Sequence, residues 1–177
     1  MTTPSGMTTP SGPSGTAPST WSERALAMQG FPMRTDPSLR RVAPWLRLTP
    51  SLSTLWILSG LVLESPRLLV SFAAVSAFGA SRRRHPFDRL YDRAVRPLAG
   101  SAPLPDNPPP RRFAMGLAAA MAATSAALLA GGRRRTGLVV GALLGAAAVT
   151  VSTTHFCAGS WIYRHVFDSL PATTGIN

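Results

Sequence analysis

FAMGLAAAMAATSAALLA (residues 113–130) and TGLVVGALLGAAAVTVSTT (residues 136–154), separated only by GGRRR, are runs of eighteen and nineteen residues without a charge. As helices, either is long enough for the ~30 Å hydrocarbon layer of a bilayer. The short break between them carries Gly131 and Gly132, so the pair reads as a hairpin. This stretch decides the class, and the rest of the chain is read outward from it.

The chain is 45% hydrophobic, and that content is gathered into blocks, as in a membrane protein rather than a soluble mixture. Upstream, LTPSLSTLWILSGLVLESPRLLVSFAAVSAFGA (residues 48–80) holds two shorter apolar runs broken at Glu64, Ser65, Pro66 and Arg67, where Pro66 lacks the N–H of a continuous helix. Residues 48–63 and 68–81 would rise roughly 24 and 21 Å, so they form either a tilted spanning pair or a re-entrant hairpin. The spanning pair is the preferred reading, because flanking arginines can snorkel to the headgroups.

Between the hairpins, SRRRHPFDRLYDRAVRPLAG spaces Phe87, Leu90, Tyr91, Ala94, Val95 and Leu98 along one helical face. The opposite face carries Asp88, Arg89, Asp92, Arg93 and Arg96. The pattern predicts an amphipathic helix on the membrane surface, anchored by Phe87, Tyr91, Arg93 and Arg96. The fold expected is therefore an all-α integral membrane protein, two transmembrane helical hairpins joined by an amphipathic interfacial helix. Its stretches are a disordered Pro/Ser/Thr/Gly tail over 1–20 and a basic interfacial segment over 21–47. A first hairpin follows over 48–81, a basic helix and Pro-rich link over 82–112, a second hairpin over 113–163 and a tail over 164–177. The N-terminal tail repeats MTTPSG, so Met7 is a candidate initiator, and its composition is not that of a signal peptide.

All eighteen basic residues are arginine, and fourteen fall on one side of the expected topology against four on the other, counting the Arg133, Arg134, Arg135 triplet with the four. The positive-inside rule then places both termini and the central loop in the cytoplasm of a bacterial cell (inner) membrane protein. Arginines that flank apolar runs, without interleaved aromatics, point to lipid as a partner and away from nucleic acid.

Gly137, Gly141 and Gly145 recur every fourth residue, and Gly116, Ala120 and Thr124 do the same on the preceding helix. Such strips let helices approach closely, either within the chain or against another membrane subunit. The ending THFCAGSWIY (residues 154–163) holds the only cysteine. Cys157 reads as a small packed residue at the helix end, and the competing reading is a thiol whose pKa His155 or Arg164 lowers. Gly159 is the expected left-handed stop, Thr153, Thr154 and Ser160 offer hydroxyls to the last carbonyls, and Trp161 and Tyr163 sit at headgroup depth. One His and one Cys are too few ligands for zinc, and His85 and His165 are placed in surface segments. No cofactor is expected from the pattern as a whole; the position that would serve a chlorophyll-type pigment or haem is His155, beside a small-residue helix face.

Pro86, Phe87, Arg89, Leu90, Tyr91, Arg93, Val95, Arg96 and Pro97, then Pro110, Arg112, Phe113 and Ala114, then Phe156, Cys157 and Gly159 together resemble the uncharacterised bacterial membrane family called domain of unknown function 4395. The resemblance covers about residues 34–163 and implies four short helices and no established activity. Where members of that family end in a CxxC-type pair, this chain reads Cys157, Ala158, Gly159, Ser160, so dithiol chemistry would need a second sulfur from a partner. The carboxylates lie outside the apolar centres, which argues against a proton pathway or an acid–base centre. The function expected is that of a non-catalytic membrane subunit, packed into a larger complex of respiratory or photosynthetic type. The alternative is a thiol-handling protein that uses Cys157 with a thioredoxin-like partner.

Overall fold

A computed structural model describes residues 20–31, 45–99 and 104–168. The expected disordered tail up to residue 19, residues 32–44 of the basic segment, residues 100–103 of the link and the tail from 169 onward lie outside the described residues. Among the described residues every regular element is helical. Following the chain, these are α1 (Trp21–Met28), a 3₁₀ turn (Trp45–Arg47), α2 (Leu48–Val62), α3 (Pro66–Ser81), α4 (Pro86–Leu90), α5 (Pro109–Ala130), α6 (Arg134–Thr154) and α7 (Ala158–Tyr163). From α4 the chain runs on through a π-helical turn (Tyr91–Val95) into a short helix (Arg96–Ala99).

The helix starts follow local chemistry. Ser65 caps α3 by accepting from the Leu68 N–H, with Pro66 just inside, where a missing donor costs nothing. At the start of α4, the His85 ring accepts from the Phe87 N–H while Asp88 reaches back to the His85 N–H, a capping box with Pro86 inside it. Thr20 and Glu23 make the same reciprocal pair at α1. Segment 21–31, expected as an interfacial approach, is therefore a capped helix and turn.

Helices α2, α3, α5 and α6 form a ring, in which α3 and α5 share the broadest contact. Its interior is small and apolar: Ile57, Phe72, Ala73, Ala122, Leu144 and Ala148, closed by Trp56, Leu61, Ala118 and Met121. Polar side chains stitch the ring where helices touch. Ser125 donates to the Gly137 carbonyl at 2.7 Å, Thr54 and Ser152 share a hydroxyl hydrogen bond at 2.9 Å, and the Trp56 indole donates to the Leu68 carbonyl at 3.1 Å. Arg134 forms an ion pair with Glu64, which brings the turns of both hairpins to one end of the bundle.

The glycine strip of α6 is buried inside this ring. A side chain at Gly137 would meet Leu129 of α5, one at Gly145 would touch Leu58 and Leu61 of α2, and one at Gly141 would overlap Leu61 and come within 2.8 Å of the Ser125 hydroxyl. Gly116 faces Ala80 of α3 instead, and Ala120 is exposed. Gly141→Leu is expected to overfill the α2–α5–α6 crossing and cost on the order of 1–3 kcal/mol, checked by thermal unfolding in detergent. Unchanged unfolding would show that the crossing has slack.

The opposite end of the bundle is closed by a cap. Leu26 and Phe31 from the α1 segment, Leu46, Tyr91 and Leu104 form a second buried cluster, flanked by Trp45 and Leu48. Arg164 clamps the end of α1 by donating to the Met28 and Ala27 carbonyls, as a cation at a helix C-terminus should. This corrects the sequence reading of the central segment. Tyr91, expected to lie in lipid headgroups, is fully buried in the cap, and so is Asp88 of the expected outer face, while Leu90, Arg93 and Arg96 remain exposed.

Candidate functional site

Where the cap meets the bundle lies a partly open cavity of about 290 Å³. Its walls come from Ile57, Phe72, Met121 and Leu144, and its floor at the cap end from Gln29, Thr49, His85, Arg111 and Cys157. Two of these positions overturn sequence expectations. Residues 109–112, read as part of the Pro-rich link, are the first turn of α5, and Arg111, counted with the arginines of the cytoplasmic side, is 6% exposed. His85, read as a surface residue, is buried. The cause is common to both: the cap segments lie over this end of α3 and α5 and exclude water from it.

The floor is organised around Asp88. Its carboxylate accepts from the Thr49 hydroxyl at 2.7 Å and from the His85 backbone N–H at 3.2 Å. The neighbouring Arg112 donates to the Ala80 carbonyl at 2.8 Å, fixing the start of α5 against the end of α3. Arg111 turns inward and lies over the Phe31 ring, 5.5 Å from its centroid, within electrostatic reach of Asp88 and Cys157. Burial first, and the Arg111 charge after it, pull the His85 pKa down to about 4 against a raising effect of Asp88. The His85 imidazole is therefore neutral at pH 7.

His155 forms the second polar junction. Its φ of 61° makes it the left-handed residue that ends α6, the place assigned from sequence to Gly159. Gly159 instead sits in α7, so close to Ala114 that a side chain there would come within 2.7 Å of its Cβ. Thr153 and Thr154 donate to α6 carbonyls as expected, whereas the Ser160 hydroxyl is buried without a partner among the described residues. His155 Nε2 accepts from Arg47 at 2.8 Å, and its carbonyl accepts from the Gln29 side chain. A ring nitrogen held this way, on a buried side chain, does not suit axial ligation of haem or a chlorophyll-type pigment. Burial, followed by the Arg47 charge, lowers its pKa to about 4.

These shifts carry a sign. Both histidines bind protons more weakly in the fold than in the unfolded chain, where the value is near 6.5. Between about pH 6.5 and 4 the unfolded state takes up more protons, so stability falls as the pH falls through that window. A full-length protein melted at pH 7.5 and at pH 5 is expected to unfold at a lower temperature at pH 5. His155→Asn, which tolerates the left-handed conformation, is expected to flatten the dependence. Equal slopes in parent and variant would remove His155 from the account.

The remaining sequence candidates scatter. Phe87 is half-buried between the His85 and Trp56 rings, at centroid distances of 5.0 and 6.2 Å. Trp161 is exposed and stacks on His165, and Tyr163 packs on Phe113 and Phe167. Cys157 is half-buried at the cavity floor. Among the described residues no group of three His, Cys, Asp or Glu side chains could hold a metal ion. Arg111, His85 and Gln29 went unread as site residues. For α1 the usable signal was the Thr20-x-x-Glu23 box; for Arg111 it was PPRRF, two prolines opening a helix with the arginine two residues before the apolar run.

The family model described as a domain of unknown function (DUF4395) matches residues 43–167. The chain belongs to this family. The DUF4395 match takes in all four ring helices together with His85, Asp88, Arg111 and Cys157, while α1, which supplies Gln29 and Phe31, precedes it. No curated protein and no solved structure matches the chain.

Proposed function

We propose that this DUF4395 protein is a multi-pass integral membrane protein of the bacterial cell membrane, a non-catalytic subunit that packs into or stabilises a larger membrane assembly. The observation that carries the reading is where the apolar surface lies. In α5 and α6, both long and apolar enough to cross a bilayer, only 28% of each hydropathic window is buried inside the molecule. Leu55, Val62, Val70, Phe78, Val139 and Leu143 add outward apolar surface on all sides of the ring. A soluble four-helix bundle would leave this surface in water, where it favours association; a bilayer or a neighbouring subunit satisfies it. The shorter α2 and α3 cross beside them, with both termini and the cap in the cytoplasm, in keeping with the arginine count. The carboxylates hold the fold closed: Asp88 serves Thr49 and the His85 backbone at the floor, Asp92 and Asp106 serve Arg84, and Glu64 serves Arg134 at the other end.

Two measurements test this. Single cysteines at Ser81 and Ala130, in a Cys157→Ser background, are expected to differ toward an impermeant thiol reagent on intact cells. Ala130 should label and Ser81 should not; the reverse pattern would invert the topology. Purification in mild detergent is expected to retain specific membrane-protein partners, and a chain that purifies alone at full stability would sink the subunit reading. The thiol alternative is favoured by one observation, that Cys157 lines the same cavity as Arg111. Cys157→Ser is expected to leave assembly unchanged; a mixed disulfide to a second protein trapped at Cys157 would establish the alternative.

A further inference from the structure

Arg111 is more than nine-tenths buried, yet among the described residues its guanidinium makes no hydrogen bond and no ion pair; its contact there is the Phe31 ring. Both Asp88 oxygens are engaged elsewhere. Five N–H donors in a rigid fork, cut off from most bulk water and without a hydrogen bond inside the protein, are costly unless something with acceptor oxygens completes them. Arg111 lines a cavity whose walls beyond the floor are mostly apolar.

We infer that the cavity is a binding site for a single-chain carboxylate amphiphile, a fatty acid, with its carboxylate on Arg111 and its chain along the apolar walls. The planar fork matches a carboxylate in bidentate geometry. Gln29 and Cys157, at the same floor, flank the head position. A cavity of about 290 Å³ is at the small end of ligand sites, which suits one chain and excludes a two-chain phospholipid. The way in is lateral. The lining residues that are also exposed, Leu117, Ala147, Ala158 and Ile162, belong to α5, α6 and α7, so the mouth opens through the side of the bundle and not through its capped end. The site does not depend on the subunit reading, but its lateral mouth would face lipid under it.

The test uses the full chain in a non-ionic detergent, with dodecanoate as the probe and dodecanol as its uncharged counterpart. Dodecanoate is expected to raise the melting temperature of the parent protein in a saturable manner, and dodecanol is not. Arg111→Gln is expected to lose the response. Ala118→Phe, which fills the cavity and leaves the guanidinium in place, should lose it as well, so that failure of either variant to fold leaves the other as a test. Equal shifts by the acid and the alcohol would overturn the carboxylate assignment. A shift that persists in folded Arg111→Gln, or no saturable shift in the parent, would overturn the site. Loss of partners on purification would sink the subunit reading and leave this result untouched.

Discussion

Asp88→Ala is expected to destabilise the protein by about 3–5 kcal/mol, the order for two buried donors that lose a charged acceptor. The carboxylate joins three segments: it accepts from Thr49 at the start of α2, it closes the capping box on the His85 N–H, and its charge favours the Arg111 guanidinium. With alanine in its place, the Thr49 hydroxyl and the His85 N–H are left buried without an acceptor and the guanidinium faces an apolar cavity without a counter-charge. Asp88→Asn should cost less, since an amide oxygen still receives the Thr49 hydroxyl. Asp88→Ala combined with Arg111→Met should recover part of the loss, because both charges then leave together. The measurement is equilibrium unfolding in detergent across the three variants. An Asp88→Ala curve within about 1 kcal/mol of the parent, the scale of an ordinary point change, would mean the cluster is wetter than its geometry indicates.

The ring of helices was largely legible before the cap was. The charge-free runs 113–130 and 136–154 fall inside α5 and α6, and the Glu64–Arg67 break falls at the α2–α3 turn, because periodicity, length and proline are local signals. The spacing marks Gly141 as a close-packing position, and the ring of helices makes that contact one within the chain. What escaped is long-range. Leu26, Phe31, Leu46, Tyr91 and Leu104 come from four separate segments, none of which supplies more than two of them. An aromatic beside basic residues fits a headgroup layer as well as it fits a protein cap, so the pattern alone places Tyr91 in lipid. Arg111 was misread for a related reason: an arginine next to an apolar run snorkels by default, and only α1 and the α4 segment folding over the bundle end make it an interior group. His155 in place of Gly159 as the left-handed residue is a tertiary choice as well, since its ring is held by Arg47 and its carbonyl by Gln29.

The cap therefore yields the sharpest remaining test. Tyr91→Ala is expected to cost about 3–5 kcal/mol, as for other large-to-small changes of buried aromatics. The ring is fully buried, lies 5.2 Å from the Trp45 ring by centroid, and touches the cluster that ties α1 to the bundle. Removing it opens a void beneath three chain segments, and α1, held otherwise by Arg164 and the Gln29 contact, should detach before the ring of helices unfolds. Faster tryptic cleavage at exposed Arg24 would report that release, while the helical content of the bundle stays near the parent value. An anchor in lipid headgroups would behave differently: Tyr91→Trp would be tolerated or favourable there, Tyr91→Ala would weaken membrane retention, and Arg24 would stay protected. In the packed cap Tyr91→Trp adds volume where none is free and should destabilise by about 1–3 kcal/mol. The order of the two variants, and whether cleavage at Arg24 follows it, decides whether this face is held by protein or by membrane.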